Sequence, residues 1–151
     1  MNTFYSLPYT NFIWKIWNLT ISTGPVIVDK KWEKVLLHIS SSTGKYQFIG
    51  WRLDDTVSFR DNALMRAREV VSDNLVTLTS EEPLVLFDVV QRDGVSEQIL
   101  LVHYKATMQD EWSTGEALWF TIDDIEELAR QDKISSPNIL LGSKYFLSHN
   151  S

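Results

Sequence analysis

The sequence contains no cysteine. Disulfides, thiolate zinc sites and a cysteine nucleophile are therefore excluded. It also has no run of the roughly 18–20 apolar residues that a membrane-spanning helix needs. The first twenty residues carry a single lysine among polar interruptions and do not resemble a signal peptide. We therefore expect a cytoplasmic protein with no membrane contact.

Basic residues are in the minority, with 14 Lys and Arg against 20 Asp and Glu and a net charge of −6. Broad nucleic-acid binding requires clustered basic residues against phosphate, so the charge argues against it. An acidic protein that binds a nucleotide usually needs a metal ion or a local basic pocket. The chain also lacks repeats, a glycine-rich phosphate loop and a Gly-x-Ser-x-Gly nucleophile elbow.

The 151 residues, 44% of them hydrophobic, are typical of one globular domain with a substantial core. We expect a single domain over residues 1–151, with an irregular lead at 1–11. Six Trp, five Tyr and seven Phe favour sheet structure, core packing or a stacking pocket.

Hydrophobic patterning predicts strands on both sides of a central helix. The predicted strands are an edge strand at 12–22, ended by a break at 24–25, an antiparallel pair at 26–28 and 35–39, and strands at 46–48, 75–78, 84–90, 98–106 and 117–121. A hairpin turn is predicted at 92–94, and C-terminal helices at 122–131 and 136–147. Antiparallel hairpins combined with helices on the sheet faces indicate an α+β sandwich.

The central helix is predicted to begin at Ser58 and to end near 72–74. Ser58 caps it, and Asp61 follows at the spacing of a capping box. Apolar residues recur at helical spacing, which predicts a buried stripe of Phe59, Ala63, Ala67 and Val70.

Several segments together resemble a Nudix (MutT-like) hydrolase domain over residues 19–147. They are VIV at 26–28, KVLL at 34–37, YQFIG at 46–50, the Ser58 helix, DVV at 88–90, LLVHY at 100–104, EALWF at 116–120 and IDDI at 122–125. The resemblance implies an α/β/α sandwich with a mixed, mostly antiparallel sheet around a capped central helix. It also implies a nucleotide or another phosphorylated small molecule as ligand.

The signature of that family is G-x5-E-x7-R-E-U-x-E-E-x-G-U, where U is aliphatic. Its later acids share one helix face and hold Mg²⁺ or Mn²⁺ against a diphosphate. Aligned without gaps, this sequence matches few of these positions, so its Nudix box is strongly degenerate. Trp51 stands for the first Gly, Val57 for the first Glu, Met65 for Arg, Arg66 for Glu, and Val70 for the last acid, whereas Glu69 matches.

Two residues of this helix have two interpretations each. Glu69 is either a remaining catalytic acid and metal ligand or a solvated acid paired with a neighbouring arginine. Arg66 opposes a divalent cation, and it either binds a substrate phosphate directly or forms an i, i+3 ion pair with Glu69. The ion pair alone is worth a few tenths of a kcal/mol.

The remaining candidates come from the loops. Arg52 lies where the family's loop contacts substrate phosphates, and Asp54 and Asp55 are either displaced metal ligands or parts of a solvated turn. Glu116 is either a general base or an exposed acid. The candidates for stacking a base are Trp14, Trp17, Tyr46 and Trp51, with Trp51 alternatively filling the pocket.

Three functional hypotheses follow. The first is a nucleotide- or diphosphate-binding regulatory module, a pseudoenzyme with weak or absent hydrolysis and no required metal. The second is a divergent hydrolase of nucleoside diphosphate derivatives with Mg²⁺ or Mn²⁺ held by Glu69, Asp54 or Asp55, and Glu116. The third is a structural subunit that docks through Trp14 and Trp17, a pair that alternatively packs in the core or in a homodimer seam.

Overall fold

The computed structural model of the chain describes residues 19–54, 56–71, 75–92, 94–111 and 116–148. The predicted lead at 1–11, the first part of the predicted strand at 12–22, and Trp14, Trp17 and Asp55 lie outside these residues.

The larger sheet is built around two long strands, β1 (Leu19–Ile27) and β7 (Val95–Met108). They run parallel along the whole of β1, from Leu19 opposite Gln98 to Ile27 opposite Ala106. Antiparallel partners complete the sheet, namely β4 (Trp51–Arg52) on β1, and β5 (Val76–Leu78) and β6 (Leu84–Arg92) on the far side of β7. The sheet is therefore mixed and mostly antiparallel, as predicted.

A second sheet has the order β3-β2-β8 and is wholly antiparallel. Its strands are β2 (Lys34–Ile39), β3 (Tyr46–Gln47) and β8 (Ala117–Thr121). The predicted antiparallel pair at 26–28 and 35–39 is therefore wrong in part. The two segments belong to different sheets and meet only through one bridge between Val28 and Val35.

Three helices are described: α1 (Phe59–Val71), α2 (Ile122–Arg130) and α3 (Asn138–Ser148). The Asp61 amide donates to Ser58 Oγ over 3.1 Å, which confirms the predicted cap of α1. Thr121 and Asp124 form a complete capping box at α2. No helix in the described ranges is long and apolar enough to cross a membrane.

The core lies on both faces of the larger sheet. On one face Ala63 of α1 packs against Val102 and Tyr104 of β7. On the other, Val26 of β1 packs with Phe146 of α3. Helices therefore cover the sheet on both sides, and the α+β fold with an α/β/α sandwich is confirmed.

The buried side of α1 differs from the predicted stripe. Ala63 and Ala67 are fully buried, but the stripe continues to Val71, and Asn62 is buried beside it. Phe59 is 38% exposed. The buried stripe therefore consists of Ala63, Ala67 and Val71, spaced four residues apart on one face of the helix. Val71, at the end of the helix, packs in the core cluster that contains Ala106 and Met108.

The predicted edge strand and the break at 24–25 are wrong, since β1 lies between β4 and β7 and continues to Ile27. A Cβ at Gly24 would overlap the carbonyl oxygen of Ile49, so the glycine permits a close crossing of two backbone segments. The Val28 amide donates to Ala106 on β7. Backbone N–H groups two residues apart in a strand face the same neighbouring strand, so the N–H groups of Val28 and Val26 face β7. The nitrogen of Pro25 therefore faces away from β7, and its missing N–H removes no hydrogen bond from that ladder.

Candidate functional site

A buried asparagine joins the loop after β4 to helix α1. Asn62 is fully buried, and its Oδ1 accepts the Asp54 amide over 3.1 Å. Its Nδ2 donates to Thr23 Oγ1 on β1 and to the Arg52 carbonyl at 3.3 Å. Asn62 is not among the site residues predicted from the sequence. The available signal was a polar side chain directly beside the apolar stripe, where burial requires hydrogen-bond partners.

Arg66 forms a second link between the helix and the same loop. Its Nη1 lies 2.8 Å from Glu69 Oε2, and its Nη2 donates to the Arg52 carbonyl over 2.8 Å. The Arg66 side chain is only 14% exposed, against 57% for Glu69. Its Nε is buried and has no hydrogen-bond partner among the described residues. The i, i+3 ion pair, one of the two interpretations of Arg66, is therefore present.

The carboxylate of Asp54 closes a turn before α1. Its Oδ1 accepts the Thr56 amide at 2.9 Å and the Thr56 hydroxyl at 2.7 Å. These two bonds, with a smaller contribution from the Arg66 charge, lower the pKa of Asp54 below its usual value. Asp54 therefore has the contacts of a capping turn residue.

Trp51 and Arg52 point to opposite faces of the sheet. Trp51 is paired with Thr23, whose side chain contacts α1, and its own side chain is 53% exposed. Because successive strand residues alternate, Arg52 points the other way, where its Nη2 is 3.9 Å from Glu97. Of these two side chains, only that of Trp51 therefore lies on the face of the sheet that α1 covers. Arg52 meets Arg66 through its backbone carbonyl, which accepts a hydrogen bond from the guanidinium.

Tyr46 lies in the smaller sheet, and Glu116 lies at the end of one of its strands. The Tyr46 ring packs edge-on against Phe120, with centroids 4.9 Å apart, at the border of the α3-side core. Glu116 directly precedes β8, and its carbonyl accepts the Ile39 amide. Burial lowers the pKa of His38, and the negative charge of Glu116 opposes this shift. Tyr46 and Glu116 are therefore positioned by the smaller sheet, whereas Arg66 and Glu69 are positioned by α1.

Among the described residues, the donors around α1 do not fit a Mg²⁺ or Mn²⁺ ion. Such ions need several oxygen ligands, usually including one or two carboxylates. Here Glu69 is paired with a guanidinium, and the Asp54 carboxylate accepts two bonds from Thr56. Within the described ranges no three His, Asp or Glu side chains group closely enough to hold a metal ion.

Comparison with solved structures decides the fold. A Nudix-family hydrolase from Clostridium perfringens superposes with a TM-score of 0.61 over 85% of this chain and 96% of its own, at 18% identity. The chain has the Nudix fold. A C. elegans Ap4A hydrolase gives a TM-score of 0.60 over 87% and 99% of the two chains at 15% identity. The MutT protein from Bacillus halodurans gives 0.59 over 87% and 84% at 18% identity.

The likeness lies in the structure and hardly in the sequence. No sequence-family model matches the chain, and no curated protein sequence matches it. At these identities the Nudix fold is shown, and the chemistry has to be argued from the site itself.

Proposed function

We propose that this Nudix-fold chain is a binding or regulatory module for a nucleotide or another diphosphate derivative, with weak or absent metal-dependent hydrolysis. The observation that carries the proposal is the Arg66–Glu69 pair on α1, with its 2.8 Å contact. The positive guanidinium compensates the negative charge of Glu69, which is the acid that the sequence retains at a signature position of this helix.

A cation at Arg66 changes which ligand this face of α1 attracts. Fixed positive charge beside Glu69 repels a divalent ion and attracts a phosphate. A guanidinium also matches the geometry of phosphate oxygens better than a point charge does. The bond to the Arg52 carbonyl keeps the group in place, so little side-chain entropy remains to be lost on binding.

Trp51 supplies the second element of the proposed site. Its ring is about half exposed and belongs to the α1 face of the sheet. Aromatic rings stack on nucleobases with about 1–3 kcal/mol per base. In this proposal Trp51 stacks the base and Arg66 binds the phosphates. Arg52 and Tyr46 have secondary roles, because the Arg52 side chain contacts Glu97 and the Tyr46 ring contacts Phe120.

The direct test is calorimetry with ADP-ribose and with Ap4A, each in EDTA and in Mg²⁺ or Mn²⁺. We expect binding that EDTA does not change and turnover near the uncatalysed rate. Trp51→Ala and Arg66→Gln should each weaken binding about tenfold or more, since each removes about 1.4 kcal/mol or more. Arg68→Gln is the matched control, because Arg68 is an exposed arginine of the same helix.

Other results would decide against the binding module. Metal-dependent turnover that is lost in Glu69→Gln would establish the divergent hydrolase, with Asp54, Asp55 and Glu116 as the next ligands to test. Absence of any nucleotide binding, with the fold intact, would favour the structural subunit.

Three expectations from the sequence stay predictions: the single domain over 1–151, the cytoplasmic location and the homodimer.

A further inference from the structure

A cavity lies on the face of the larger sheet opposite α1. It has a volume of about 320 Å³, at the small end of the ligand-pocket range of roughly 300–1,000 Å³. Its walls come from the connection between β5 and β6, from β7 and from α3, and they include Glu81, Glu82, Lys105, Tyr145 and Phe146. Two aromatic residues, two acidic residues and one lysine are therefore among the residues that line a space large enough for a small molecule.

Lys105 is the unusual member of this wall. Strand alternation places Tyr104 and Ala106 on the α1 side, so Lys105 points to the α3 side. It is only 2% exposed, although lysine is almost never fully buried. Its Nζ lies 3.0 Å from the centroid of the Trp32 ring. An amine is thus held inside the protein beside a cavity, in one defined position.

The turn that presents Trp32 is firmly built. Trp32 has a φ of 61°, in the left-handed region that a bulky residue rarely adopts. The Trp32 amide donates to the Asp29 carbonyl, and the Asp29 carboxylate accepts the amides of Glu33 and Lys34. Such conformations persist only where the surroundings enforce them, and they cluster at functional sites.

The surroundings also favour a reactive amine. Burial lowers the pKa of Lys105 to about 8. At pH 7 about one tenth of such amines are neutral, against roughly one in three thousand for an ordinary lysine. The Trp32 ring favours the ammonium form and limits this shift. In the part of the chain that the structure describes, the other ionisable groups that line the cavity are Glu81, Glu82 and Tyr145, and Asp29 lies in the adjoining turn.

We propose that this cavity is a second ligand site, in which the Lys105 amine condenses with a small aldehyde. The amine nitrogen attacks the carbonyl carbon to give a carbinolamine. Loss of the former carbonyl oxygen as water, with both amine protons, leaves an imine. Glu81 and Glu82 are the carboxyl groups that line the cavity and are available to exchange these protons. The cavity and Arg66 lie on opposite faces of the larger sheet, so this proposal does not depend on the proposed nucleotide site.

The test uses the whole chain with benzaldehyde and cyanoborohydride at pH 7, followed by peptide mass spectrometry. Cyanoborohydride delivers hydride to the imine carbon and fixes the adduct as a secondary amine. We expect Lys105 to be labelled at least about tenfold faster than Lys45 and Lys144, two exposed lysines that form surface ion pairs. Its labelling rate should have a midpoint near pH 8.

Two variants make the test specific to the cavity. Thr79→Trp places a large side chain at an exposed wall position, and it should suppress labelling of Lys105 without changing Lys45. Lys105→Arg should abolish the site and leave ADP-ribose binding unchanged. Labelling of Lys105 no faster than Lys45, equal labelling in Thr79→Trp, or a midpoint above pH 10 would each overturn the proposal.

Discussion

Replacement of Glu69 by Gln separates a phosphate-binding site from a metal site by the sign of its effect. Glu69 competes with a ligand phosphate for the Arg66 guanidinium, and their contact is 2.8 Å with Glu69 57% exposed. A pair this exposed contributes about 0.3–1 kcal/mol. Glu69→Gln should therefore strengthen metal-free binding of ADP-ribose about two- to fivefold. A metal site would instead lose a ligand and weaken.

The assay is calorimetry in EDTA and in Mg²⁺ at low ionic strength, repeated at high salt, where screening should reduce the difference. Glu127→Gln is the matched control, because Glu127 forms an i, i+3 pair with Arg130 on α2 at the same 2.8 Å contact distance. Its substitution should leave binding unchanged. Tenfold weaker binding in Glu69→Gln, with Glu127→Gln unaffected, would refute the assignment of the α1 face to phosphate.

Three further predictions concern stability and are measured by urea unfolding. Asn62→Ala leaves buried partners unsatisfied and should cost about 1–3 kcal/mol, more than Asn138→Ala, which loses an exposed bond. Gly24→Ala forces an overlap with the Ile49 backbone and should lower the free energy of unfolding by more than about 3 kcal/mol. Gly44→Ala, where the positive φ is the sole penalty, should lower it by about 1 kcal/mol. Equal losses would contradict the close crossing at Gly24. Burial lowers the pKa of His103 to about 4, so the unfolded chain binds a proton first as the pH falls. The free energy of unfolding should therefore drop by about 2–3 kcal/mol between pH 7 and 4.5, and His103→Gln should remove most of that drop.

Much of the fold was predictable because it depends on local patterns. The cap at Ser58 and the strands at β5 to β8 follow from residues within a few positions of one another. The pairing of Arg66 with Glu69 was likewise one of two stated alternatives, since i, i+3 residues adjoin on any helix. The break predicted at Gly24 failed because its glycine serves a crossing with Ile49, which is distant in sequence.

The sequence by itself determined the capped central helix, the order of the elements that follow it and the charge pattern on that helix, because each follows from short-range periodicity. Only the tertiary structure decided that Trp51 and Arg52 face opposite ways, that Asn62 links the loop to β1, and that Lys105 is buried beside Trp32. Those outcomes depend on strand register. A lysine in a strand is exposed or buried according to what packs on its face, and Lys105 contacts a turn more than seventy residues earlier in the chain.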